Sequence, residues 1–147
     1  IRGVDWFGAL LVAAEIGDFD RFGGGRDVSK WIGTIPKDNS SGGKVSRGRI
    51  TKAGNDHVRT VLLEGVAGAG LRRPGAKKAR GGRVVSPEVE ATCAKASRRL
   101  KARFDHLVGR GLPVNKAKIA VVNELIRWIW VVGRTVQAEQ RALAARS

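Results

Sequence analysis

Apolar residues recur at helical spacing near the start of the chain, in WFGALLVAAEIG, and this pattern predicts a first helix. Gly17 is expected to end it, because glycine readily adopts the left-handed conformation that follows many helices. One face of this helix should be buried, and it carries four apolar residues: Phe7, Leu10, Leu11 and Ala14.

An irregular connection is predicted from Asp18 to Gly25, with Phe19 and Phe22 as apolar plugs. A short helix is expected around Asp27 to Ile32. Pro36 should end that run, since the residue before a proline disfavours the helical conformation.

A third helix is predicted after a polar segment, and either Thr51 or Asn55 can cap its N-terminus through a side-chain oxygen. Four apolar residues predict its buried face: Val58, Val61, Leu62 and Leu71.

Two further helices are predicted in the second half. Ser86 as a cap, Pro87 in the first turn and Glu88 near the positive end of the helix dipole open a helix that continues to about Val108. Its exposed face is basic: Lys95, Arg98, Arg99, Lys101 and Arg103. The last helix runs from about Asn115 to near the C-terminus. Its apolar face comprises Ala117, Val121, Leu125, Trp128 and Val132, and its polar face Lys116, Asn123, Arg127 and Arg134.

No segment carries a pattern strong enough to predict a strand, so the expected fold class is all-α, a small helical bundle with a long loop and a basic arm. A chain of 147 residues can close one core of this kind. The arm, RRPGAKKARGGR, is rich in cations, glycine and proline and should be flexible. We therefore divide the domain into a core with its loop at 1–71, the arm at 72–85 and a helical hairpin at 86–147.

The charge of the chain points to a polyanionic partner. With 28 Lys and Arg against 13 Asp and Glu, the formal net charge is +15 and the pI about 11.4. Nucleic acid is the commonest partner of so basic a domain. No membrane partner is expected, because the long apolar run at 121–132 is interrupted by Asn123, Glu124 and Arg127.

Cys93 is the single cysteine, so neither a disulfide within the chain nor a zinc site with two thiolates is predicted. A reducing, cytoplasmic location fits this composition. The chain contains no methionine, and we therefore expect Ile1 not to be a natural start and the sequence to be a fragment.

The segment NSSGGKVSRGRITKAGN, from Asn39 to Asn55, is rich in serine, glycine and cations and has no acid. Its glycines would let backbone N–H groups approach an anion, and Lys44 adds charge. It is not a Walker A loop, because Asp38 and Val45 stand where that motif needs Gly and Ser or Thr. A solvated linker can have the same composition, so both interpretations stay open.

Two blocks of sequence and the Arg59 that follows them resemble a known family. AEIGDFDRF, from Ala14 to Phe22, and WIGTIPKDNSSGGKVSRGRITKAGN, from Trp31 to Asn55, are similar in order and spacing to the C-terminal domain of transposases of insertion-sequence family 110/116/902. VNKAKIAVVNELIRWIWVVGR, from Val114 to Arg134, resembles the closing helix of that family by composition.

The resemblance implies a recombinase that moves DNA with a serine nucleophile, which corresponds here to Ser40 or Ser41. It also implies a RuvC-like N-terminal half with four metal-binding acids, absent from this sequence, so Mg²⁺ is expected there and no cofactor or metal site here. The implied partners are DNA, as element ends and target, a structured guide RNA and further copies of the chain. The fragment alone is expected to be inactive, and the implied location is the nucleoid of a bacterial cytoplasm.

Cations of the loop and arm are the candidate nucleic-acid contacts, because they can offset phosphate charge. Asn55 is included from the matching block. The candidates are Lys44, Arg47, Arg49, Lys52, Asn55, Arg59, Arg72, Arg73, Lys77, Lys78 and Arg80.

Two other classes of function fit the composition. A non-enzymatic helical module that binds DNA or RNA would need the charge but not the serines. A basic structural protein that binds folded RNA is a third hypothesis, although no aromatic stacking platform is apparent.

Overall fold

The structure, a computed structural model, describes residues 1, 4–38, 47–70 and 85–146. The predicted helical bundle is confirmed. In chain order its elements are α1 (Trp6–Ile16), α2 (Gly25–Trp31), β1 (Pro36–Asp38), β2 (Arg47–Ile50), α3 (Asp56–Gly70), α4 (Pro87–Gly109) and α5 (Val114–Ala144), with a 3₁₀ turn at Phe19–Arg21 between α1 and α2.

The long helix α5 is the centre of the bundle, and α2, α3 and α4 all pack against it. Its buried side chains are Ala117, Val121, Val122, Leu125 and Ile126. Trp128 and Val132, also predicted to be core, are only half-buried. At 31 residues and about 1.5 Å per residue, α5 is roughly 46 Å long, and its C-terminal end extends past the core.

The helix α4 begins as predicted. The Ser86 Oγ accepts a hydrogen bond from the Val89 backbone N–H at 3.3 Å, and Pro87 occupies the first turn. Leu100 and Phe104 bury the inner face of α4 against α5. α4 and α5 pack against each other, and Gly111 has a φ of 80° in the turn between them.

The predicted buried face of α1 is wrong. Phe7 and Leu10 are 63% and 52% exposed, whereas Val12 and Ile16 are buried. Because α1 is apolar on nearly all sides, its periodicity does not distinguish two faces. The buried face is the one that contacts α3. A Cβ added to Gly8 would lie 3.0 Å from Val61 Cγ1, so the absence of a side chain at Gly8 lets α1 and α3 approach closely.

The bundle also contains a short β-hairpin that no pattern in the sequence indicated. β1 and β2 pair antiparallel, with Pro36 opposite Ile50 and Asp38 opposite Arg47. Strands of three and four residues are too short to show alternation in sequence. Pro36 begins β1 rather than ending a helix; α2 ends at Trp31, and Gly33 follows with a φ of 71°. The arm and Leu71 lie outside the described residues.

Candidate active-site hairpin

The candidate serines, Ser40 and Ser41, and Lys44 lie in 39–46, outside the described residues. The structure describes the two strands on either side of them. Asp38 ends β1 and Arg47 begins β2, and these two residues are register partners. The two ends of the serine-containing segment are therefore neighbours at one end of the hairpin.

The other end of the hairpin is fixed by close backbone contact between 31–35 and 51–55, which we call the glycine junction. A Cβ added to Gly54 would lie 2.1 Å from the Trp31 carbonyl oxygen, and one added to Gly33 would lie 2.7 Å from the Ala53 oxygen. Both glycines also have positive φ, 146° for Gly54 and 71° for Gly33. Only glycine fits either position without displacing the backbone.

Backbone hydrogen bonds join the two sides of the glycine junction. The Asn55 N–H donates to the Trp31 carbonyl at 3.0 Å, and the Lys52 N–H donates to the Gly33 carbonyl at 3.1 Å. Lys52 has a φ of 53°, so the backbone turns sharply there in a conformation that non-glycine residues rarely adopt. The path of the chain into α3 is thus determined by main-chain contacts.

Asn55 links three helices through its side chain and backbone. Its Oδ1 accepts a hydrogen bond from the Val58 N–H at 3.0 Å, so Asn55 rather than Thr51 caps α3. Its Nδ2 donates to Glu15 Oε2 of α1 at 2.6 Å. Because both ends of the amide are used inside the protein, the structure gives Asn55 a positioning role. A contact with nucleic acid stays a prediction.

Arg59 also has partners within the chain. Its Nη1 donates to the Ile32 carbonyl at 2.9 Å and to the Lys52 carbonyl at 3.3 Å, which holds the glycine junction against α3. The Lys52 side chain is exposed. Arg59 therefore contacts the candidate site through the backbone of Lys52, which it holds in position.

The start of the hairpin is attached to α5 by a pair of side chains that the sequence did not indicate. Thr34, which is fully buried, donates from Oγ1 to Asn123 Oδ1 at 2.5 Å, and Asn123 Nδ2 donates to the Thr34 carbonyl at 2.9 Å. Asn123 had a signal in the sequence, since it is a polar residue inside the apolar run of α5. Its partner was not predictable, because it lies 89 positions away.

The other candidate nucleic-acid contacts belong to β2 and to the arm. Arg47 and Arg49 lie in β2. The arm residues Arg72, Arg73, Lys77, Lys78 and Arg80 lie outside the described residues. The structure brings together Lys52, Asn55 and Arg59 at the glycine junction, and it ties the strand that contains Arg47 and Arg49 to the same hairpin.

His57 and Glu15 lie beside Asn55. The His57 Nδ1 is 3.7 Å from Glu15 Oε1, and the imidazole is largely exposed. Within the part of the chain that the structure describes, no three or more His, Cys, Asp and Glu side chains gather as a metal site would require. In the same part of the chain, no helix is both long and apolar enough to cross a bilayer.

Comparison with known proteins finds one matching family and several relatives. The sequence profile of the transposase IS116/IS110/IS902 family matches residues 1–80, which include α1, α2, the hairpin and α3. A protein of Sinorhizobium fredii that carries the name transposase y4qE is 36% identical over 137 residues, covering 91% of this chain and 35% of that protein. The transposase for insertion sequence element IS1111A of Coxiella burnetii is 32% identical over 132 residues, covering 90% of this chain and 30% of that protein.

The chain spans about a third of the length of these relatives. No solved structure matches it significantly. Because the family profile covers more than half of the chain, the chain belongs to the IS116/IS110/IS902 family of transposases.

Proposed function

We propose that this chain is the C-terminal domain of a DNA transposase that cleaves and joins DNA strands through a serine nucleophile, Ser40 or Ser41. Membership of the transposase family supports the general class of reaction. The observation that carries the proposal is the register of the hairpin, in which Asp38 faces Arg47 so that the serine-containing segment leaves and returns at one place.

The rigidity of the base of the hairpin supports a catalytic role. The glycine junction fixes one side to α3, and the pair formed by Thr34 and Asn123 fixes the other to α5. Catalytic groups must be held within a fraction of an ångström of their productive positions, and rigid helices do this better than loops. A nucleophile on this hairpin would be positioned by these two helices.

The proposed step is a transesterification. The serine Oγ forms a bond to a DNA phosphorus and its proton passes to a base, while one phosphorus–oxygen bond of the strand breaks and the leaving oxygen takes up a proton to give a hydroxyl end. The number of phosphodiester bonds is unchanged, so the step can be reversed to join a new strand. Negative charge builds on the phosphoryl oxygens, and nearby cations stabilise it. Lys44, Arg47, Arg49 and Lys52 are the candidates.

A serine hydroxyl is a weak nucleophile and needs activation. In our proposal the RuvC-like half supplies it through Mg²⁺, since the described residues of this chain do not gather the carboxylates such an ion prefers. We expect this chain alone to be inactive. Assembly with further copies of the chain and a guide RNA, close to the bacterial chromosome, belongs to the same proposal.

The test is a recombination assay with the full-length protein encoded by the element. Ser40→Ala and Ser41→Ala are compared with Ser46→Ala, a matched control in the same segment. One of the first two should abolish recombination while binding of the element ends is retained, and Ser46→Ala should recombine normally. Normal recombination by Ser40→Ala, Ser41→Ala and their double variant would refute the assignment.

A second candidate function is a non-enzymatic nucleic-acid-binding module. The net charge of +15 favours it without reference to the serines. In that case the double serine variant would change neither binding nor any activity of the element, whereas variants of the basic residues would weaken binding.

A further inference from the structure

Beside the hairpin lies an open groove that none of the sequence patterns predicted. It is formed by α4, α5, the first turn of α2 and the residues that lead into β1. A larger part of about 800 Å³ and a smaller part of about 380 Å³ share the side chains of Arg103, Asn123 and Arg127. We call the two parts together the arginine groove.

Helical spacing on α5 builds the floor of the arginine groove. Ala120, Asn123, Arg127 and Val131 recur three or four positions apart, so they share one face of the helix. The first turn of α2 closes one wall. A Cβ added to Gly25 would lie 2.9 Å from the Arg127 Cα, so α2 meets α5 at this point with no room for a side chain.

The lining of the arginine groove is strongly cationic. Its described lining includes one acid, Glu124, and four arginines. Arg26 comes from α2, Arg99 and Arg103 come from α4, and Arg127 comes from α5. Among the described residues, no acid lines the larger part. Such a surface attracts anions over several ångströms and holds them where the charges converge.

Two of these cations are already paired. Glu124, whose side chain is only 13% exposed, contacts the guanidinium groups of both Arg99 and Arg103. Arg26 and Arg127 make no ion pair among the described residues, and both are exposed. An anion can therefore bind to these two guanidinium groups without breaking an ion pair of the described residues.

The arginine groove also has aromatic walls. Trp128 lines the smaller part and Trp130 the larger, and both rings are half-buried. The Trp130 ring is held in place, because its Nε1 donates to the Phe19 carbonyl at 3.1 Å. Arginines beside aromatic surface are typical of proteins that bind single-stranded nucleic acid, where phosphates meet the cations and bases stack.

We propose that the arginine groove binds a single DNA strand and leads it to the hairpin, with Arg26 and Arg127 contacting its phosphates. This inference rests on the proposed function for the choice of DNA. Ile35 and Pro36 line the groove, and β1 continues from Pro36 to Asp38, which lies two positions before Ser40 in the sequence. A volume of about 800 Å³ is in the range of small-ligand pockets and is large enough for a few nucleotides of one strand.

The test measures binding of the 147-residue chain to a fluorescent single-stranded DNA of 20 nucleotides, with the matching RNA and duplex as further probes. The double variant Arg26→Ala/Arg127→Ala is compared with Lys95→Ala/Arg98→Ala. The control variant removes the same charge from two exposed positions of α4 that do not line the groove. Melting curves followed by circular dichroism show whether each variant is folded.

The groove variant should bind the single strand about tenfold more weakly at moderate salt, and the slope of log affinity against log salt should fall by about 1.4, as expected for two lost phosphate contacts. The control should lose less than about threefold, because it affects only long-range attraction. Glu124→Gln should strengthen binding, since it frees Arg99 and Arg103 for phosphate.

Equal losses in the groove and control variants would overturn the proposal, as would a loss confined to the RNA or to the duplex. The groove and the serine chemistry are tested by separate experiments. Normal recombination by the serine variants would refute the proposed chemistry. Selective loss of DNA binding by Arg26→Ala/Arg127→Ala would still support the groove in that case.

Discussion

The glycine junction and the arginine groove lie on two sides of the same hairpin and use their polar groups in opposite ways. At the junction, the side chains of Asn55 and Arg59 form hydrogen bonds with other groups of the same chain. In the groove, Arg26 and Arg127 form no ion pair among the described residues. The first region therefore determines where the hairpin lies, and the second is available to a ligand.

This difference separates residues that mark the family from residues that can bind. The block from Trp31 to Asn55 carries the family resemblance. Its Gly33 and Gly54 allow close contact between backbone segments, and its Asn55 caps α3. Arg26 and Arg127, the cations of the groove without an ion pair among the described residues, lie outside that block. Substitutions at the junction should accordingly reduce stability, and substitutions in the groove should reduce affinity for nucleic acid.

Gly54→Ala should be the most damaging single change. The new Cβ would collide with the Trp31 carbonyl at 2.1 Å, and the φ of 146° is unfavourable for alanine. We expect the free energy of unfolding to fall by about 3 kcal/mol or more, measured by urea denaturation.

Gly109→Ala is the matched control for Gly54→Ala. Gly109 lies at the end of α4, and a Cβ there would meet no atom within 4 Å. Stability should stay the same or rise by up to about 1 kcal/mol. Equal losses from the two substitutions would show that the junction is not special.

Asn55→Ala should have an intermediate effect. It removes the cap of α3 and the hydrogen bond to Glu15, which together should cost about 1–2 kcal/mol in the free energy of unfolding. Asn115→Ala is the control, because Asn115 is exposed in the first turn of α5 and should change stability by less than about 0.5 kcal/mol. A stable Asn55→Ala protein that no longer binds DNA would reverse the role we give Asn55.

Arg26→Ala and Arg127→Ala should each change the free energy of unfolding by less than about 0.5 kcal/mol, since both side chains are exposed and form no ion pair within the described part of the chain. Thermal melts of the two variants beside Asn55→Ala check this directly. A destabilisation as large as that of Asn55→Ala would mean that the groove, like the junction, is an architectural feature.

Asp20→Asn should give the smallest effect and one that depends on pH. Hydrogen bonds from Arg141 and then Arg134 lower the pKa of the Asp20 carboxyl below its usual range. The carboxylate therefore contributes stability above the ordinary aspartate pKa of about 3.9, and this contribution is lost as the pH falls through the lowered value. The melting temperatures of the wild type and Asp20→Asn should differ slightly at pH 7 and coincide at strongly acidic pH. A difference that grows on acidification would contradict this sign.

Local rules were enough to predict some elements. The Ser86 cap with Pro87 behind it defined the start of α4, and the apolar repeat from Ala117 to Leu125 identified the buried face of α5. In both cases the deciding residues lie within a few positions of one another. The fold class followed from the number of such helices.

The rest depends on contacts between distant parts of the chain. The buried face of α1 is decided where Gly8 meets Val61, and the hairpin is held at the glycine junction rather than by any strand pattern. The arginine groove brings together Arg26 and Arg127, which are about a hundred positions apart in sequence. A pattern read along the chain cannot register such pairs.

The central claim is that a serine of this hairpin bonds to DNA. The most direct measurement incubates the full-length protein with element-end DNA whose cleaved strand cannot be rejoined, and maps the covalent adduct by peptide mass spectrometry. We expect a nucleotide attached to Ser40 or Ser41 in the wild type and no adduct in the corresponding alanine variant. Cleaved DNA with no protein attached, or an adduct on any other residue, would contradict it.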